Sequence, residues 1–310
     1  MKRTLQKAGI LFLIFIAALV IYFISARNAM EKENTVYTSM EEPSLPVVYM
    51  KLNGKEINCL HGYMQDMGNQ AARDSISVLP ENRELGIKIT EYGNTITGIS
   101  YEVRNLSLDR LIERTDVTEW DSSEGSTTAV LPIQNLLIRN EPYYLTLNVS
   151  TSERQIRYYT RIVWPDNNYA YDMVSLAEEF SRKSLDYNQA RELVSYLETN
   201  DTEDNSNLGH VTIRASFNHL TWDGLPVEMV GEPQVTLQEF DGIMGQVKVR
   251  YTVAITESDN TRTLVDTEDN FTMKWNEQRI YLMNYERNAN EEFEGGPQSF
   301  SGKKILLGIT

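Results

Sequence analysis

The sequence predicts a mainly β chain with some α. It reads as an N-terminal transmembrane helix, a β-sandwich, and then a helix pair followed by an antiparallel β-meander in an α+β domain. Three observations carry this. Ala8 to Ala26 is a continuous run without a charge. From Val47 onward, apolar residues recur at every second position, the period of a half-buried strand. Between Met173 and Leu197 the apolar spacing switches to i, i+3, i+4, i+7, the period of a helix.

The apolar run would reach about 28 Å as a helix, close to the thickness of bilayer hydrocarbon. Lys2, Arg3 and Lys7 precede it with no acid among them. Lysine and arginine stay on the cytoplasmic side, so residues 1–7 form a cytoplasmic stub, 8–26 the anchor, and the body is extracytoplasmic. The predicted location is the cell membrane, single-pass. A cleaved signal peptide would need an Ala-x-Ala site after the run, and none follows. A lipoprotein site would need a cysteine there, and the only cysteine is Cys59. Residues 27–45 then form a polar juxtamembrane spacer with Glu31, Glu33, Glu41 and Glu42 and with Pro43 at its end.

Residues 46–166 are predicted to be the sandwich. Val47–Leu52 and Lys55–Leu60 flank Asn53-Gly54, the strongest short hairpin signal, because a type I′ turn needs positive φ at both central residues. Leu85, Ile87 and Ile89 alternate with polar residues. So do Ile99, Tyr101 and Val103, and then Leu145, Leu147 and Val149. A turn at Thr151 to Arg154 leads into Ile156, Tyr158, Thr160 and Ile162. Residues 62–77 and 109–118 lack clean alternation, and each could hold a short helix. Seven or eight such strands in about 120 residues resemble the immunoglobulin and fibronectin type III architecture. The resemblance is one of architecture, since the Cys–Trp–Cys signature of antibody domains is absent.

Trp164-Pro165-Asp166-Asn167-Asn168 breaks the pattern and marks the boundary to a second domain, 167–287. Met173, Leu176, Ala177 and Phe180 share one helical face. A second helix starts near Asp186, whose carboxylate can cap it, and buries Ala190, Leu193, Val194 and Leu197. Val211, Ile213, Ala215 and Phe217 read as a strand. Asp223-Gly224 and Asp241-Gly242 read as turns. Val247 to Ile255 is the cleanest alternation in the chain. Phe271, Met273 and Trp275 should pair with Ile280 and Leu282 across Asn276-Glu277. Helices on one face of such a sheet would be similar to the cone of nuclear-transport-factor-like domains. Residues 288–302 read as a linker by composition. Residues 303–310 read as a strand that either folds back onto one of the two domains or starts a further domain beyond Thr310.

Composition narrows function more than any motif does. The formal charge is −15, and three of the 29 basic residues lie in the stub. Such an acidic body repels nucleic acid, so no nucleic-acid partner is expected. One cysteine excludes an internal disulfide framework, so cores alone must hold the domains, as a bacterial envelope protein of this length can do. His61, His210 and His219 do not form a ligand set, and three unrelated surface or edge histidines are expected. Asp201 to Ser206 resembles the start of a calcium loop. An EF-hand, however, needs Gly at the sixth position and Glu at the twelfth, where Ser206 and Thr212 stand. No nucleophile motif and no phosphate loop are present. No catalytic residue, cofactor or metal is therefore predicted.

Tyrosine is the enriched group. Tyr143, Tyr144, Tyr158, Tyr159, Tyr169 and Tyr171 crowd the end of the first domain, and Tyr143, Tyr158, Tyr159, Tyr169 and Tyr171 form the candidate recognition surface, because exposed tyrosines suit protein and glycan contacts. The expected function is a binding, regulatory or scaffolding module at the cell envelope. It would be held in the membrane through residues 8–26 and would meet an envelope protein or the wall. In layout this is similar to single-pass accessory regulators of envelope sensor kinases. The alternatives are an anchored envelope hydrolase and a stalk presenting a further C-terminal domain.

Overall fold

The Asn53-Gly54 pair closes the first hairpin as its chemistry demands, with φ of 49° and 86°. It joins β1 (Val47–Leu52) to β2 (Lys55–Leu60), with Leu52 opposite Lys55. The computed structural model describes residues 15–22, 45–68, 70–200, 203, 205–256, 262–292, 300–301 and 304–305. The chain is mainly β, in three larger sheets with few helices. One compact unit spans Glu42–Glu292, and Met1–Glu41 with Phe293–Thr310 make another.

The first half of the larger unit supplies β3 (Ile76–Val78), β4 (Glu84–Thr90), β5 (Ile96–Arg104), β6 (Leu111–Val117) and β7 (Trp120–Ser123). It also supplies β8 (Ser126–Pro132), β9 (Pro142–Thr151) and β10 (Gln155–Val163). They form two sheets, in the orders β2-β1-β4-β8-β7 and β3-β10-β9-β5-β6. Every pairing is antiparallel except β3 with β10. The inward residues of both sheets make one core: Val48, Leu85, Ile87 and Ile89 from the first, Ile99, Tyr101, Leu145, Leu147 and Tyr158 from the second. Alternation sends the neighbours of these residues outward, and those of β5, β9 and β10 become the floor of the site below.

The second half supplies α1 (Ala170–Lys183), a 3-10 helix at Gln189–Tyr196, β11 (His210–Thr212), α2 (Phe217–Leu220), β12 (Val227–Phe240), β13 (Met244–Thr256), β14 (Arg262–Asn276) and β15 (Arg279–Glu291). The third sheet runs β11-β15-β14-β13-β12. The predicted pairings of Trp275 with Ile280 and of Met273 with Leu282 are present. Helix α1 buries Met173, Val174, Ala177 and Phe180 in the core it shares with this sheet. Gly245 admits it closely, since a β-carbon there would lie 2.5 Å from the Met173 sulfur.

Several expectations are corrected. Residues 109–118 hold β6, not a helix. Their alternation is hidden because the inward position 113 is a glutamate, buried and hydrogen-bonded. Within 62–77 only Gln70–Ala72 is helical, as one 3-10 turn. The stretch after Asp186 also winds as a 3-10 helix, in which i and i+3 share a face, so Ala190 and Leu193 are buried and Val194 is exposed. The strand expected through Phe217 ends at Thr212, and Ser216 caps α2 by accepting from the His219 amide at 3.2 Å. His219 is therefore buried and not a surface residue. Strand β15 continues to Glu291, into the stretch that composition marks as linker.

Of the predicted anchor, residues 15–22 are described. They are helical and exposed throughout. Among the described residues no helix is long and apolar enough to cross a membrane, and the rest of the span lies outside them. Most of the spacer lies outside them too, as do Asp201, Thr202 and Asp204 of the acidic loop. Near the C-terminal end, β16 (Phe300–Ser301) pairs with β17 (Lys304–Ile305), and residues 306–310 lie outside the described set.

One residue ties the three large sheets together. Asn58 sits at a bulge in β2 with φ of 51° and is buried. Its amide donates to the Ile76 carbonyl of β3 at 2.8 Å and accepts from the Leu237 amide of β12 at 2.8 Å. Arg161 adds a second tie. It donates twice to Glu239, at 2.9 and 2.8 Å, and once to the Gln238 carbonyl at 2.6 Å.

Candidate functional site

The outward side chains of the second sheet form a polar floor set out by the strand register. One row across the strands is Asp116 on β6, Ser100 on β5, Asn148 on β9 and Arg157 on β10. The next is Arg114, Glu102, Thr146 and Tyr159. Arg104 opposite Tyr144 begins a third. Neighbouring strands lie about 4.8 Å apart, so each row crosses about 14 Å. The floor is concave and encloses a groove of about 570 Å³.

One wall is the segment after β2. Tyr63 exchanges both backbone hydrogen bonds with Arg157 at 2.8 Å, which extends the sheet past β10. The Tyr159 hydroxyl accepts from the Met67 amide at 3.1 Å and donates to the Asp66 carboxylate at 3.2 Å. The Gly68 amide, and then Tyr159, hold the Asp66 carboxyl below the usual carboxylate range, although slight burial opposes them. Burial, with Asp66 beside it, pushes the Tyr159 phenol up, so the phenol keeps its proton. The opposite rim carries Leu108, whose carbonyl accepts from Arg104 at 3.5 Å.

Charge in the groove balances. Arg104, Arg114 and Arg157 face Asp66, Glu102 and Asp116. Glu102 accepts from Arg114 at 2.9 Å and from Arg104 at 3.3 Å. Ser100, Asp116, Thr146, Asn148 and Gln155 make no side-chain hydrogen bond among the described residues, so their polar groups line the groove without a protein partner. No histidine, cysteine or lysine lines it. An ionised Asp66 is a poor general acid. The arrangement can bind a polar molecule, and it offers no nucleophile paired with a base.

The five predicted tyrosines are not brought together. Tyr143 and Tyr158 lie in the sandwich core, and the Tyr158 hydroxyl donates to the Pro46 carbonyl at 2.7 Å. Tyr159 is in the groove but is covered by the wall it anchors. Tyr169 stacks on Trp275 with centroids 4.0 Å apart, and Tyr171 is exposed on α1. Sequence reasoning missed the groove because it treated the polar half of each alternation as ordinary solvated surface. The available signal was the crowding of arginine and carboxylate at alternate positions of β5, β6 and β10.

Two other places merit comparison. A larger but more open hollow of about 830 Å³ lies on the first sheet beside β7, lined by Glu84, Asp116, Glu119 and Asp121 among others. Its acids share no partner set. The most buried ion pair among the described residues joins β14 and β15 of the third sheet, where Arg287 and Asp269 meet at 3.0 Å, exposed by 1% and 0%. Asp269 also accepts from Ser181 at 2.6 Å, Tyr251 at 2.9 Å and Tyr285 at 3.1 Å. Arg287 also donates to Ser184 at 2.6 Å and to the Leu220 carbonyl at 2.9 Å. This cluster is sealed and satisfied, and it serves packing. His210 lies near Asn288 and Glu286, whereas His219 bonds the Asn207 carbonyl at 2.9 Å and Asp223 at 3.2 Å. Among the described residues no group of three His, Cys, Asp or Glu could hold a metal.

No protein-family model matches the chain, and no curated protein matches it. A crystal structure of an engineered protein is similar over 42% of this chain and 22% of that one, at 13% identity and a TM-score of 0.24, which carries no argument.

Proposed function

We propose that this chain is a membrane-anchored binding module of the cell envelope, with its body outside the membrane and its ligand held in the groove on the second sheet. The observation that carries the reading is the groove floor: a register of polar side chains that have no protein partner among the described residues, with mutually balanced charge. A binding site needs convergent polar groups on a rigid support, and four adjacent strands of one sheet are such a support.

The anchor is supported by the uncharged run and by its described part. There, Phe15, Ile16, Leu19, Val20 and Ile21 are exposed apolar side chains on a helix. Contiguous apolar surface of this kind calls for an apolar solvent or a partner. In the same reading the two-sheet part is an immunoglobulin- or fibronectin-like sandwich, and the part from 167 to 287 is a cone-like α+β domain packed against it.

The test uses the detergent-solubilised full chain and membrane-free envelopes from its own cells. The chain should cosediment with that material. Filling the floor with Thr146→Trp and Asn148→Trp together should lower cosedimentation at least tenfold without changing the circular dichroism spectrum. Equal cosedimentation of the two proteins contradicts the reading.

A further inference from the structure

Resting on the reading that the groove is the ligand-binding face, we infer that its ligand is an uncharged glycan, held through its hydroxyl groups. The argument is one of exclusion and fit. A peptide that binds by strand addition needs a free sheet edge. The groove is a face. β5 and β9 are paired on both sides, and β6, the edge strand, directs its free backbone groups sideways in the plane of the sheet, so the floor presents side chains only.

A polyanion needs a positive field. Here three guanidinium groups meet three carboxylates, on a chain whose formal charge is −15. A polycation is met by the same arginines. An apolar ligand would strand the open hydrogen-bonding groups of Ser100, Thr146, Asn148 and Gln155.

A polyhydroxyl chain satisfies all of these at once. Each hydroxyl both donates and accepts. Amide, hydroxyl and carboxylate side chains at strand spacing therefore find a partner whichever role they take. Asp116 and Arg157, at opposite ends of one row, offer charge-assisted bonds to neutral hydroxyls. The Tyr144 ring, in the third row opposite Arg104, offers an apolar face with a polar tip, suited to a sugar ring that is apolar on its face and polar at its edge. The groove lies across four strands, so the ligand is an extended oligosaccharide and not a single sugar.

A photo-crosslinker placed at the rim, Leu108→p-benzoylphenylalanine in the full chain, tests this in living cells. The expected product is an adduct that stains for carbohydrate, is destroyed by periodate and carries no acidic group. Asn148→Ala with Gln155→Ala, in a chain that melts with its parent, should lower its yield at least tenfold. A protein or polyanion adduct of undiminished yield overturns the glycan assignment and leaves the groove a binding face. Absence of any adduct overturns both.

Discussion

Asp269 shows how much one carboxylate can organise. Its two oxygens take four donors from α1, β13 and β15, and the guanidinium it pairs with reaches on to Ser184 and Leu220. Burial pushes the Tyr285 phenol up, and Asp269 adds to this, so the ring stays a donor. Removing the carboxylate leaves a buried cation without its partner, which costs about 3–5 kcal/mol. Asp269→Ala should lower unfolding free energy by that amount in a denaturant titration, whereas Tyr251→Phe should cost only about 1 kcal/mol. Equal small losses would mean that the cluster is not the internal tie described. None of this was legible in the sequence. Asp269 stands between Thr267 and Phe271 on the inward face of β14, where alternation asks for an apolar residue, and its partner on α1 is 88 positions away. Glu113 is hidden for the same reason. It accepts from the amides of Gln134 and Asn135 at 3.0 and 2.9 Å, and a buried charged residue reads as surface until its partners are known.

At the scale of elements, what was legible was local. The Asn53-Gly54 hairpin, the Thr151–Arg154 turn, the Asp241-Gly242 turn and α1 each carry their cause within a few residues. The 3-10 winding of Gln189–Tyr196 and the early end of β11 were not, because both depend on what packs against them. The link between the sheets is likewise a long-range device. Asn58 adopts left-handed φ, which asparagine tolerates better than alanine, and its amide joins strands 179 positions apart in sequence. Asn58→Ala should lose about 3 kcal/mol, from unmade buried hydrogen bonds and from backbone strain. Asn58→Gly should recover only the strain, about 1 kcal/mol of it. Thermal melting of both variants checks this; full recovery by glycine would show that the amide bonds do not hold the sheets.

For the whole molecule, composition and pattern gave the order of parts: an apolar run, a polar stretch, then strand-rich sequence with a helical interruption. The groove needed the fold, because its rows join residues from four strands that only the register aligns. The central claim is that this groove faces the outside of the cell while the apolar N-terminal run holds the chain in the membrane. Single-cysteine labelling tests it most directly. With Cys59→Ser as background, Asn148→Cys should react with a membrane-impermeant maleimide on intact protoplasts as fast as in detergent, and the labelled protein should stay with the membrane through alkaline extraction. Labelling that appears only after lysis, or protein released by alkali, would contradict the account.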